Sequence, residues 1–548
     1  MSRTPLFAIL RRAAALARHS RHVDEPLDEL LERAAEARLA ASRRRFLGAL
    51  GAGGAALSLA ACAPRALRDA ARDEGDAVVV VGAGIAGLTC AYRLRQAGVP
   101  VRVIEASNRI GGRMFSLRDH FPDGQVIELG GELIDSDHVR IRALAQELGI
   151  ALDDLQTDDP ALQGDVWFAG GRSYSEAELV RAFVPLSAAI ERDLATLGDG
   201  DITWDVPDGA QALDALSLSQ WLQREGAEGW LRTLIEVAYT TEMGLECERQ
   251  SALNLLTFIG TEADAFRIFG SSDERYHVRG GNDLIVRALG EKLADAIETG
   301  SPLEALRQEA DGGYVLSLRR GSASRELRAR QVVLAMPFTT LRQVRLDLEL
   351  PAHTRRAIER LQYGTNAKLM IGFDERVWRT RHRRNGSVYA DLPFQTTWET
   401  TRLQPGRGGV LTNFTGGAHG LALGEGTAKA QADLAAQQLD AIFPGIAAAR
   451  AGAREVRMHW PSQPWAQGSY ACLTPGDWTS LRGAMGTAVG QLHFAGEHCA
   501  LDTQGFMEGG CESGESVATA ILATRGMGAA TSAVQRLRSR AAARPVPV

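Results

Sequence analysis

A chain of 548 residues is long enough to bury a sizeable core and to divide into more than one domain. Its 45% hydrophobic and 23% charged content is ordinary for a soluble globular protein, and a net charge of −6 argues against a nucleic-acid partner. The six cysteines are scattered without a CxxC pair, so neither a disulfide framework nor a metal cluster is predicted.

The N-terminus carries an address. Ser42-Arg43-Arg44-Arg45-Phe46-Leu47 resembles a twin-arginine export signal, which implies the twin-arginine translocase as a partner. The apolar run Phe46 to Ala61 falls short of the ~20 residues of a membrane span and reads as the core of a signal segment. It closes in Leu59-Ala60-Ala61-Cys62, which resembles a lipobox, with Cys62 as the site of a lipid anchor. Residues 1–62 are therefore read as an N-terminal extension and signal, and 63–75 as a tether. The expected destination is the periplasm, free or anchored to a membrane as a lipoprotein.

From Asp76 to Arg113 the pattern changes. An apolar strand, Ala77 to Val81, runs into Gly82-Ala83-Gly84-Ile85-Ala86-Gly87, then a helix, then a second strand, Val101 to Ile104, ending at Glu105. A GxGxxG run in this strand–turn–helix–strand context predicts a dinucleotide site. Gly82 permits the tight turn, Gly84 lets the backbone approach a pyrophosphate, and Gly87 lets helix and strand pack closely. The helix N-terminus offers N–H donors to the phosphates, and Glu105 is placed to accept from a ribose diol. Arg109-Ile110-Gly111-Gly112-Arg113 follows directly, an addition that a nicotinamide site does not require.

A strand at Gln125–Leu129 precedes Gly130-Gly131-Glu132-Leu133-Ile134-Asp135-Ser136-Asp137-His138. Asp135 to Asp137 are candidate caps for a helix starting near Val139; Glu132 is left either for such a cap or for a cationic ligand. Residues 136–273 read as mostly helical, with apolar residues at i, i+3 and i+4. Tyr276 to Asn282 returns to the first domain, followed by a helix at Leu284–Ala296, a strand near Leu303, and a buried strand at Gln331–Pro337. Of only three lysines, Lys292 and Lys429 lie on polar helix faces, whereas Lys368 opens the apolar strand Lys368–Phe373. A lysine there either serves a site or snorkels to solvent. Trp460 to Tyr470 and Leu492 to Gly514 complete the motif-bearing segments, and the Arg- and Ala-rich tail reads as disordered.

The runs at Arg109–Arg113, Leu492–His498 and Gly505–Gly514 resemble the FAD signatures of the flavin amine oxidase superfamily, over Asp76 to about Arg525. The resemblance implies an α/β fold in which a discontinuous Rossmann-type FAD domain (76–135, 274–345 and 464–525) joins a mixed α+β substrate domain (136–273 and 346–463), with 526–548 as tail. It implies that Gly112 and Arg113 approach the diphosphate and that Gly130 and Gly131 lie near the flavin. Leu303 would give a backbone contact to adenine. Gly496, Glu497, Gly505, Phe506 and Met507 would close the cofactor site, with Glu497 at the ribityl-phosphate region. Lys368 would hold a water against the flavin. Tyr470 and Phe506 would form the walls of an aromatic cage, although many relatives carry tyrosine where Phe506 stands. Ser469 occupies the place of the flavin-linking cysteine of some relatives, so the FAD is expected to be non-covalent.

The implied activity is oxidation of an amine to an imine that hydrolyses to an aldehyde or keto acid, with oxygen, or a quinone, as electron acceptor. No arginine follows Gly131 closely, as it would in L-amino acid oxidases. Glu132 instead suggests a polyamine, another cationic amine or a basic L-amino acid. A carotenoid desaturase or porphyrinogen-oxidase relative and a non-catalytic flavin-binding lipoprotein remain the alternatives.

Overall fold

The computed structural model describes residues 76–198, 200–258, 273–450, 452 and 454–527. The export segment, Cys62, the tether and the tail from 528 onward lie outside the described residues.

The first motif folds into a five-stranded parallel sheet in the order Leu492–Phe494, Val332–Leu334, Val78–Val81, Val101–Ile104, Ile297–Glu298. Val78 stands opposite Val101, Val79 opposite Val332, and Val332 in turn opposite Leu492. Four consecutive valines suit this position: a central parallel strand is buried on both faces, and β-branched side chains pack well there. The helix Ile85–Gln96 crosses one face, and the C-terminal helix Met507–Thr524 lies against it. Small residues set their separation: a Cβ on Gly514 would stand 2.3 Å from the Ala86 carbonyl oxygen.

A second sheet has seven strands in the order Glu455–His459, Ala367–Phe373, Gly409–Thr415, Thr396–Glu399, Val388–Ala390, Val166–Ala169, Arg172–Tyr174. All its pairings are antiparallel except that of Val388–Ala390 with Val166–Ala169. A four-stranded sheet, Ala323–Ala329, Tyr314–Arg320, Leu303–Gln308, Arg345–Asp347, completes the larger β elements.

Along the wholly buried strand Ala367–Phe373, alternate residues face opposite ways. Leu369, Ile371 and Phe373 pack with Ala432, Ala435, Ala436 and Leu439 of the helix Ala428–Leu439. Met370 packs on the other side with Leu129 and Trp460. The two-residue period sends Lys368 to the Met370 side, toward the chain around Gly130.

Several element boundaries depart from the sequence expectation. The strand expected at Gln125–Leu129 contracts to Ile127–Glu128, paired with Ser116–Leu117. The helix expected at Leu284–Ala296 spans Asp283–Lys292. The stretch 136–273, read as mostly helical, also contains Leu152–Asp154, paired with Tyr276–Val278, and the last two strands of the seven-stranded sheet, Val166–Ala169 and the edge strand Arg172–Tyr174. Strands of three or four residues are too short to display a period of two. The helix Glu176–Leu194 forms where expected, started by a capping box between Ser175 and Glu178.

Candidate active site

A cavity of about 670 Å³ runs from the first βα turn to the seven-stranded sheet. Every predicted site residue lines it except Gly87. Gly87 acts behind the wall: a Cβ there would lie 2.0 Å from the Gly82 carbonyl oxygen. Gly82 has φ +108°, and its Cβ would meet the Ala335 carbonyl oxygen at 2.3 Å. At Gly84 a Cβ would meet nothing within 4 Å. This glycine heads the helix Ile85–Gln96, which has no side-chain cap and no acidic residue in its first turn. An open backbone edge and an uncapped helix start suit a diphosphate. Gly112, at φ +56°, and Leu303 extend the same end of the cavity.

Three charged residues here are more engaged than the sequence suggested. Glu105 accepts from Ala83 N and Ser107 N, both at 2.8 Å, and so ties the glycine turn to the end of the second strand; its remaining lone pairs stay available to a diol. Arg113 and Glu497, expected at separate parts of the cofactor, are paired with each other at 3.0 Å. The same Arg113 nitrogen donates to Ser469 O at 2.6 Å, and Glu497 also accepts from Ala471 N at 3.2 Å and Gly505 N at 2.8 Å. The other guanidinium N–H groups remain for a phosphate.

The loop at Gly130-Gly131 is pinned from three directions. Trp460 Nε1 donates to Leu129 O at 3.1 Å, and Asn282 Nδ2 to Gly131 O at 3.0 Å and Glu132 O at 2.7 Å. Lys368 Nζ donates to Gly130 O at 2.8 Å, Glu128 O at 3.2 Å and Glu132 Oε2 at 2.7 Å. Side chains pack tightly here too, a Cβ on Gly131 falling 2.8 Å from Met507.

Lys368 is 5% exposed, which removes the snorkelling alternative. Its three donors each have an acceptor, so holding a water as well would require one of these bonds to open. Glu132 corrects the expectation more strongly. One oxygen takes Lys368 and the other takes Trp398 Nε1 at 2.8 Å, so the carboxylate faces an internal cation rather than awaiting an external one. Burial alone would push its carboxyl up; the Lys368 charge, with hydrogen bonds from Lys368, Thr400 and Trp398, outweighs that and holds it below the usual range.

The helix expected near Val139 starts there, but Asp135 to Asp137 do not cap it. Glu508, from the first turn of the C-terminal helix, accepts from Arg140 N at 2.9 Å and Ile141 N at 2.8 Å and supplies the cap. Burial, only partly offset by these bonds, pushes its carboxyl up to about 7. Asp135 instead accepts from Glu274 N at 2.6 Å, and both acids line the cavity. Asp135, Asp137 and His138 bring potential ligand atoms within 4.8 Å of one another, a grouping the sequence did not announce. Asp135 Oδ1 and His138 Nδ1 are each engaged by a backbone N–H, and we assign no metal there.

Tyr470 lines the cavity with its hydroxyl on Thr241 O at 3.2 Å; Phe506 lines it with an edge contact to His138 at 5.0 Å. Ser469 Oγ, where a linking cysteine would stand, donates to Asn366 Oδ1 at 2.6 Å. Trp398, Phe414, Asn366, Asp135 and Glu274 complete this end. The sequence had singled out Asp135, as a candidate cap within an acidic run, and had signalled none of the other four; only the fold brings those in.

A dinucleotide cradle that opens into a chamber of aromatic and acidic side chains describes a flavoenzyme acting on amines. Residues 85–522 match the model for flavin containing amine oxidoreductase, and the chain belongs to that family. It is an FAD-dependent amine oxidoreductase. The flavin-containing amine oxidase A of Bos taurus is 25% identical over 472 residues, covering 81% of this chain and 84% of that protein. An L-amino acid dehydrogenase of Synechocystis is also 25% identical, over 81% of this chain and 94% of its own length. Among solved structures, cyclohexylamine oxidase from Brevibacterium oxydans superposes with a TM-score of 0.72 at 24% identity, over 82% of this chain and all of that one. Putrescine oxidase bound to putrescine gives a TM-score of 0.71 at 22% identity, over 82% of this chain and 99% of that one. These two likenesses establish the shared fold.

Proposed function

We propose that the protein oxidises a cationic amine that carries no carboxylate beside the reacting nitrogen. The carrying observation is the charge of the cavity wall. Each cationic side chain lining it is already engaged: Arg109 by the Ile110 and Gly112 carbonyls, Arg113 by Glu497, Arg319 by Glu304 and Lys368 by Glu132. Acidic side chains outnumber these four along the lining, where Glu105, Glu132, Asp135, Glu274, Glu304 and Glu497 stand. A substrate carboxylate would meet net repulsion here, whereas an ammonium would be attracted. Tyr470, Phe506, Trp398 and Phe414 supply apolar walls that favour the uncharged form of the nitrogen to be oxidised.

Bound FAD supplies a two-electron acceptor for the C–N bond and passes the electrons on to oxygen. The imine then takes up water and splits into a carbonyl compound and ammonia or a shorter amine. The Ser469 hydroxyl is committed to Asn366, and Cys472 is buried away from the cavity lining, which supports a non-covalent cofactor. Acid or heat should therefore release the flavin from the polypeptide. Under anaerobic conditions, amines without an α-carboxylate should bleach the bound flavin while the matching amino acids do so at least about tenfold more slowly. Bleaching by α-amino acids alone would overturn this reading.

We also propose export by the twin-arginine route with anchoring at Cys62; the support is the sequence alone. Arg43→Lys with Arg44→Lys should leave folded precursor in the cytoplasm, and Cys62→Ser should turn a membrane-bound product into a soluble one. An unchanged distribution of both variants would remove the proposal.

A further inference from the structure

The start of the helix Met507–Thr524 belongs to the cavity wall, which Phe506, Met507 and Gly510 line. The first turn of a helix carries a partial positive charge, which favours negative charge placed against it. This turn contains one acid, Glu508, and the residue is 2% exposed. Its Oε1 accepts from Arg140 N and its Oε2 from Ile141 N, so one carboxyl serves the starts of two helices.

The groups packed around Glu508 leave its charge only partly balanced. From the helix Val139–Glu147, Arg140 Nε stands 3.9 Å from Glu508 Oε1, while Arg140 Nη1 donates to Glu515 Oε2 at 3.2 Å. From the helix Ile85–Gln96, Arg93 gives Nε to Glu515 at 3.0 Å and Nη1 to Glu147 at 2.7 Å. The two arginines are thus shared among three carboxylates. On the helix of Glu508 itself, burial with the charges of Glu508 and Glu515 pushes the Cys511 thiol well up, which leaves it neutral. His138, edge-on to Phe506, is pulled down to about 4 by burial and is neutral near pH 7. On the cavity side, Glu497 is paired with Arg113. Burial, offset in part by the two backbone bonds and by Arg140, pushes the Glu508 carboxyl up to about 7, so its charge changes close to neutral pH.

We propose that Glu508 sets the reduction potential of the bound FAD: its negative charge offsets the positive start of the helix and so opposes the negative charge that reduction adds to the cofactor. The inference goes beyond the amine proposed above and rests only on FAD occupying this cavity. A hydride equivalent, two electrons with one proton, leaves the C–H bond beside the amine nitrogen. It carries one negative charge to the cofactor and leaves the amine as a protonated imine. A helix start without a countercharge favours that transfer, an ionised Glu508 restrains it, and a protonated Glu508 lifts the restraint. Glu508 acts through the field at the helix start, as a tuning residue rather than a catalytic one.

The test measures the two-electron potential of the FAD-loaded protein against pH, in the parent and in Glu508→Gln, which keeps one acceptor oxygen for the cap. At about pH 8.5 the variant should be the more positive by about 30 mV, a tenfold change in the reduction equilibrium and the order expected of one unit charge inside a protein. At about pH 6, where the parent carboxyl is itself protonated, the two potentials should coincide. Coincidence at every pH overturns the proposal. So does an offset of equal size at both pH values, which would mark a disturbed structure and not a lost charge. If Glu508→Gln does not load FAD, infrared difference spectra of the parent decide. Reduction at about pH 7.5 should draw a proton onto a buried carboxylate, and no gain of a protonated carboxyl overturns the proposal. A parent that takes up no FAD overturns the cofactor reading, and this inference falls with it.

Discussion

Lys368→Met should cost the folded protein about 3–5 kcal/mol, the penalty of leaving one member of a buried ion pair without its partner. The side chain is 5% exposed and gives its three donors to Glu132 Oε2, Gly130 O and Glu128 O. Methionine fills similar volume but leaves the Glu132 carboxylate with no counter-charge and two carbonyls with one donor fewer. The double variant Lys368→Met with Glu132→Gln should recover much of the loss, because the uncompensated charge is gone.

The pH response gives the stricter check. In the parent, Glu132 is held below its unfolded value. Its share of stability is therefore fully present above about pH 4.3 and is lost as pH falls through the lower folded value. In Lys368→Met, burial without the cation raises the folded value. The variant should then lose stability as pH rises above about 4.3, the opposite sense. Urea melts of the three proteins at several pH values measure both effects. A single variant within about 1 kcal/mol of the parent, with the parent's pH slope, would show that the pair does not hold the loop.

Gly87→Ala should damage the protein despite lying inside a helix, where alanine is favoured over glycine by about 1 kcal/mol. The added methyl would stand 2.0 Å from the Gly82 carbonyl oxygen and 3.1 Å from Ala335 Cβ. Overpacking of this kind costs about 1–3 kcal/mol or more, and backbone cannot move aside as a flexible side chain can. The displaced atoms belong to the turn that presents Gly82 and Gly84 to the cavity, so FAD affinity should also fall, by about tenfold or more. Gly84→Ala is the control: its methyl meets nothing within 4 Å and would project from the cavity wall. That variant should melt with the parent when free of cofactor and yet bind FAD poorly. Equal loss of melting temperature in both variants would refute the distinction between a packing glycine and an approach glycine.

These contrasts show what could be read from the chain. The first βα unit was legible because its signal is local: four valines, three glycines and an acid within thirty residues, each with its own steric or hydrogen-bonding reason. Lys368 could be singled out because a cation at the head of an apolar strand breaks the local pattern. Its partner could not be assigned, since Glu132 is 236 residues away and becomes a neighbour only when the seven-stranded sheet meets the Gly130 loop. The same limit governs the helix at Val139. Asp135, Ser136 and Asp137 are favoured cap types in the right place, yet a glutamate 368 residues further along supplies the cap for Arg140 N. Local preference is worth about 1 kcal/mol at such a position and yields readily to tertiary packing. The contact between Asp135 and Glu274 stayed hidden for the same reason, as the two come from segments that have no reason to meet until the sheets are assembled.

The order of strands in the parallel sheet has a consequence for how the molecule comes into being. Val332–Leu334 separates the first strand, Val78–Val81, from the edge strand Leu492–Phe494, and the helix Met507–Thr524 must then fold back onto Ile85–Gln96. A nascent chain released as far as Gln491 would possess the glycine turn, the lysine strand and the double-glycine loop. It would still lack Gly496, Glu497, Gly505, Phe506 and Met507, and with them Arg113's counter-ion and the Glu508 cap. Cofactor capture therefore belongs to the end of synthesis, and a premature stop anywhere before the last helix leaves a chain with most of its mass but half a cradle.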